Sequence, residues 1–125
     1  MRSVIYLAGP ITGVADYRQR FDMAERKLTD LGYTVLNPAI LPEGMSKAAY
    51  MRICMAMIES ADVVAFMPGW QNSAGARIEA DYCFYTGRKT YALELVLLGD
   101  MEKTKKPAAE FKPAGNDERE PGGVK

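Results

Sequence analysis

Short apolar runs alternate along the chain with longer segments whose apolar residues recur every three or four positions. Ser3-Val4-Ile5-Tyr6-Leu7-Ala8 predicts a buried strand ended by Gly9-Pro10. A helix then runs from an N-cap at Asp16 to about Leu31, with Phe21, Ala24, Leu28 and Leu31 on one face and Gly32 as its stop. Tyr33 to Leu36 is a second strand, halted by Asn37-Pro38. From about Ser46 to Ser60 the positions of Tyr50, Ile53, Cys54, Met57, Ile58 and Ala61 form a helical stripe. Asp62 to Phe66 is a third strand, Ala74 to Thr86 a third helix stopped by Gly87, and Lys89 to Glu94 a fourth strand. Strands alternating with helices of this length imply βαβ units. The fold class expected is α/β, a three-layer flavodoxin- or Rossmann-like parallel sheet with flanking helices.

Residues 1–99 make one domain in this scheme. The last stretch, 100–125, mixes acidic and basic side chains with prolines and few large apolar groups, so it is read as a polar, flexible tail with a short helical piece near Lys105–Phe111. Within the second helix, Met51 and Met55 lie off the main stripe, near Met45 and Met57. They fit either gap-filling core positions or a face covered by another subunit.

Sixteen basic residues balance sixteen acidic ones, which argues against binding to polymeric nucleic acid. No apolar run approaches the roughly 18 residues of a membrane span, and the N-terminus lacks a signal-peptide plan, so the expectation is a cytoplasmic protein without a membrane partner. Cys54 and Cys83 form neither a CxxC pair nor a disulfide framework and read as small buried hydrophobes. Histidine is absent, which removes His-based triads and the HExxH zinc site. Acid–base work falls to carboxylates, tyrosines, lysines or the substrate.

Ligands of α/β proteins bind outside the carboxyl ends of strands, which directs attention to two loops. Gly9-Pro10-Ile11-Thr12-Gly13 follows the first strand. Its glycines let backbone approach a ligand, but the spacing is not the GxGxxG dinucleotide fingerprint, and an ordinary turn explains it as well. Arg18, one turn on, can reach a phosphate or simply face water. The loop after the third strand holds Trp70, which can stack on a base or pack beneath the loop. Ser73 is a good N-cap for the third helix, and Gly75 and Ala76 keep its first turn thin. Glu79 follows on that helix and can point back towards the loop. It is the candidate nucleophile, against the alternative of an exposed helix glutamate. Asp62 is either functional or a turn residue at the strand entrance.

Taken together and in order, Ile5 to Gly13, the Ser60 to Ala65 strand and the Ser73-x-Gly75-x-x-x-Glu79-x-x-x-Cys83 helix resemble the nucleoside 2-deoxyribosyltransferase superfamily, over about residues 4–94. The resemblance implies cleavage of an N-glycosidic bond in a nucleoside or nucleotide. It implies that Glu79 attacks C1′ and forms a glycosyl ester, that Asp62 lies near the base and the nucleophile, and that Tyr6 orients the nucleophile. Gly9 to Gly13 would line the sugar and leaving group. It further implies no metal and no organic cofactor, and a homodimer or higher homo-oligomer whose sites borrow a neighbour's residue.

Six residues before the glutamate, base-exchanging members tend to carry aspartate and 5′-monophosphate hydrolases a phosphate-binding serine. Here that residue is Ser73, which favours a deoxynucleoside 5′-monophosphate N-glycosidase. The hydrolases' loop serine and arginine are replaced by Pro10 and Thr12, with Arg18 as a substitute. Three alternatives stand beside hydrolysis: base exchange, a non-catalytic nucleotide-binding protein, and a scaffold acting through the methionine-rich helix.

Overall fold

The computed structural model describes residues 3–99. Four strands, β1 (Val4–Ala8), β2 (Thr34–Leu36), β3 (Val63–Phe66) and β4 (Lys89–Ala92), form one sheet in the order β2-β1-β3-β4, and every pairing is parallel. In the central register Ile5 pairs with Val63 and Tyr6 with Val64. The helices are α1 (Tyr17–Asp30), α2 (Lys47–Ser60), α3 (Ala74–Thr86) and the short α4 (Leu93–Leu97), with single 3-10 turns at Pro38–Ile40 and Trp70–Asn72. The readings of the tail at 100–125 lie outside the described residues.

The alternation of side chains along β1 and β3 divides the core into two layers. Ile5, Leu7, Val63 and Ala65 face Phe21, Ala24 and Leu28 of α1 and Leu93 and Val96 of α4. Tyr6, Ala8, Val64 and Phe66 face Cys54 and Ile58 of α2 and Ala76, Ala80 and Cys83 of α3. The sheet therefore has helices on both sides, as the sequence predicts. The chain leaves β1 towards β2 and returns across it to β3, so the order reverses between β1 and β3. That reversal is where open α/β sheets take ligands, at the carboxyl ends.

Helix boundaries follow local chemistry. After α1, Gly32 takes the left-handed φ of +98°, and the Tyr33 amide bonds to the Leu28 carbonyl at 3.1 Å, closing the helix end. Ser46 and Ser73 cap α2 and α3 by accepting from the amides of Ala49 (3.0 Å) and Ala76 (3.2 Å). Asp16 precedes α1 but makes no cap bond; its carboxylate pairs with Arg20 at 2.9 Å instead. Leu31 falls outside α1 and is exposed.

The fourth strand is shorter than the predicted Lys89–Glu94. It ends at Ala92, because Leu93, Val96 and Leu97 reach the α1-side core at helical spacing, and two of them bury there as a helix. On α2, Met55 packs against the α3-side cluster, and a Cβ added at Gly75 would meet the Met51 methyl at 3.8 Å.

Candidate active site

Four residues of α3, Ala76, Glu79, Ala80 and Cys83, form its buried stripe. Small side chains at three of these positions let α3 sit close to the sheet. The fourth is a carboxylate, only 6 % exposed. Burying such a group is costly unless it is bonded. Tyr6, in the middle of β1 and 1 % exposed, donates its hydroxyl hydrogen to Glu79 Oε2 at 2.8 Å.

Burial pushes the Glu79 carboxyl up from 4.5 to about 7, and the Tyr6 hydrogen bond works against that rise. The Tyr6 phenol is held well above its ordinary value, by burial first and by the Glu79 charge second, so it stays a donor. Glu79 thus exchanges its proton near neutrality while one oxygen is fixed in direction. A carboxyl so placed is suited to nucleophilic or acid–base work.

Two polar groups on α2 join this pair, and sequence pattern had absorbed both into an apolar stripe. Cys54 is 1 % exposed, and its thiol is pushed up to about 11, chiefly by burial. It interacts with both the Tyr6 and Tyr50 hydroxyls. Tyr50, half-buried in the first turn of α2, donates to the Pro38 carbonyl at 3.1 Å, and burial is the main cause of its raised pKa. The only sequence signal for either is a polar atom at a buried helical position. Cys83, one turn beyond Glu79, is pushed up to about 12 by burial and then by the Glu79 charge.

The remaining expectations divide. Asp62 is not brought to the Tyr6–Glu79 pair. It is exposed and sits just before β3, where its amide donates to the Val4 carbonyl (2.8 Å) and its carboxylate accepts from the Val4 amide (2.9 Å). These two hydrogen bonds clip the amino ends of β1 and β3 together, so the turn alternative holds and the catalytic one is corrected. Trp70 is likewise corrected towards packing. Its indole is 7 % exposed and its ring lies 4.8 Å from that of Phe66, so its faces serve the core.

At the carboxyl edge, Gly9 is required by close approach. A Cβ there would stand 3.0 Å from Met67 Cβ, so glycine lets the end of β1 lie against the end of β3. Pro10 stands 3.5 Å from a Cβ built on Gly69, which brings the two loops together. Ile11 packs towards the α1 side, and Thr12 and Gly13 are exposed. Ser73 and Gly75 begin α3, the first as its cap. Arg18 is exposed and already engaged: its Nε donates to the Tyr17 hydroxyl (2.9 Å), its Nη2 to the Leu41 carbonyl (3.0 Å), and Glu43 lies 3.9 Å away.

Among the described residues, no group of three or more histidine, cysteine, aspartate or glutamate side chains is gathered to hold a metal ion. Nor is any of their helices long and apolar enough to cross a membrane. No curated protein and no solved structure matches the chain. A protein family does: the pattern of a domain of unknown function, DUF4406, runs over residues 3–91, from the first strand to the last, and the chain belongs to that family.

Proposed function

We propose that the protein cleaves the N-glycosidic bond of deoxynucleoside 5′-monophosphates, with Glu79 as nucleophile. The observation that carries this is the buried carboxyl of Glu79, bonded to Tyr6 at 2.8 Å and raised to about 7 beside the switch point of the sheet. In the first step a Glu79 oxygen bonds to C1′ as the C1′–N bond breaks. The electron pair leaves with the base, which takes a proton from solvent. Water then attacks C1′ of the glycosyl ester, the C1′–O bond to Glu79 breaks, the water's spare proton passes to solvent, and the sugar phosphate leaves with the carboxylate restored. Burial assists the first step. The desolvation that makes this carboxylate avid for a proton also favours its loss of charge on forming the ester.

Ser73 and the first amides of α3 supply a place for the substrate phosphate, in keeping with helix N-termini generally. Replacing Glu79 by glutamine should abolish release of free base, measured by chromatography over a panel of nucleotides and nucleosides. Full activity in that variant would end the proposal. Adding a second free base separates hydrolysis from base exchange. A non-catalytic nucleotide-binding role is favoured by one observation, Asp62 lying away from Glu79. Tight binding without base release would establish it.

A homo-oligomer belongs to the same proposal. Ile53 on α2 and Ile78, Phe84 and Tyr85 on α3 leave large apolar groups exposed on one helical layer. Light scattering at micromolar concentration tests it, and a monomer would contradict it.

A further inference from the structure

Tyr50 takes no part in the chemistry proposed above, yet it stands where the elements around Glu79 converge. It sits on the first turn of α2 and packs against the cluster that contains Tyr6, Trp70 and Ala76. Its hydroxyl reaches the Pro38 carbonyl, just past the carboxyl end of β2, at 3.1 Å. The groups that act on it electrostatically are Cys54 on its own helix, Glu79 on α3 and Tyr17 at the start of α1, and Arg18 responds to it in turn. A phenol has one hydrogen to donate. With that hydrogen committed to Pro38 and the Cys54 thiol also hydrogen-bonded to the hydroxyl, what the oxygen can offer a ligand is one remaining lone pair.

We infer that the Tyr50 hydroxyl is a specificity-determining contact of the Glu79 site, accepting a hydrogen bond from a donor on the substrate. The donor is an exocyclic amino group of the base or the 3′-hydroxyl of the sugar. This rests on the glycosidase function proposed above and narrows its substrate class. A keto group turned to the same place sets lone pair against lone pair and is disfavoured, since an unpaired polar contact is penalised more than a made one is rewarded.

The test compares Tyr50→Phe with the wild type, because phenylalanine keeps the ring and its packing. Four substrates form two arms. Deoxycytidine and deoxyuridine monophosphates differ in amino against keto; deoxycytidine and 2′,3′-dideoxycytidine monophosphates differ in the 3′-hydroxyl. The wild type should prefer the donor-bearing partner of one pair in kcat/KM, and Tyr50→Phe should erase that preference, by about threefold to tenfold. The arm that collapses identifies the donor. Loss of the Pro38 bond alone would slow all substrates by one factor, and such uniform loss, or no change, overturns the inference while leaving base release intact.

Calorimetric titration of both proteins with the same nucleotides reads the ratio as dissociation constants. A ratio that collapses in binding, in a protein that releases no base, ends the glycosidase function and retains the contact. Absence of both binding and release ends the two together.

Discussion

Two carboxylates lean on β1, and their surroundings could hardly differ more. Asp62 sits in solvent at the amino edge of the sheet, accepting from the Val4 amide. Glu79 is enclosed between α3 and the sheet, accepting from Tyr6. Asp62 serves as a fastener through its bonds to the Val4 backbone. Under cover a carboxylate is uneasy as an anion, and the proton affinity of Glu79 rises to near neutrality. Placement, not residue type, separates the two acids.

The largest effect that would test this contrast is on turnover. Glu79→Gln should lower base release by about three orders of magnitude or more, whereas Asp62→Asn should leave it within about twofold. Comparable losses in both would erase the distinction.

Stability gives a second, independent measure. Because the folded value for Glu79 lies above its unfolded value, the native protein binds the extra proton between them. Wild-type stability should therefore be fullest below about 4.5 and fall as pH rises through about 7, by about 3 kcal/mol from this one group. Glu79→Gln should lack that decline. Thermal melts of both proteins from pH 4 to 8 decide the matter, and parallel curves would mean that Glu79 is not desolvated.

Tyr6→Phe sharpens the contrast further. Removing the donor withdraws the influence that restrains the Glu79 pKa, so the acid limb of the pH–rate profile should move upward from about 7, and kcat/KM should drop about tenfold. A downward shift would contradict the assigned hydrogen bond. The smallest effect belongs to Asp62→Asn, which should cost about 1 kcal/mol in denaturant unfolding through the weakened bond to Val4.

Most of the frame was legible in the sequence because each element carries one clear period. Phe21, Ala24 and Leu28 announce α1, and the apolar runs of β1 and β3 are buried on both faces. The fourth strand was overextended because Tyr91 to Leu97 is apolar apart from Glu94, and only the spacing of Leu93, Val96 and Leu97 reveals a helix. Glu79 was legible as a carboxylate able to point back from α3 towards the preceding loop, within the Ser73-x-Gly75-x-x-x-Glu79 pattern.

Asp62 was misassigned although the order of elements contained the answer. In an all-parallel sheet, a residue that opens a strand lies at the edge opposite the ligand-bearing loops. Trp70 and Tyr50 were harder, since pattern shows that an aromatic is amphipathic but not which of its ends meets the interior. Tyr50 and Cys54 become polar participants only when α2 is docked beside Tyr6.

The hydrogen bond from Tyr6 to Glu79 joins residues 73 positions apart along the chain. No local segment can make it; β1, β3 and α3 must all have assembled first. The protonation of Glu79 near neutrality is therefore a reporter of completed folding. During refolding it should return with the slowest tertiary signal, after the helices have already reformed.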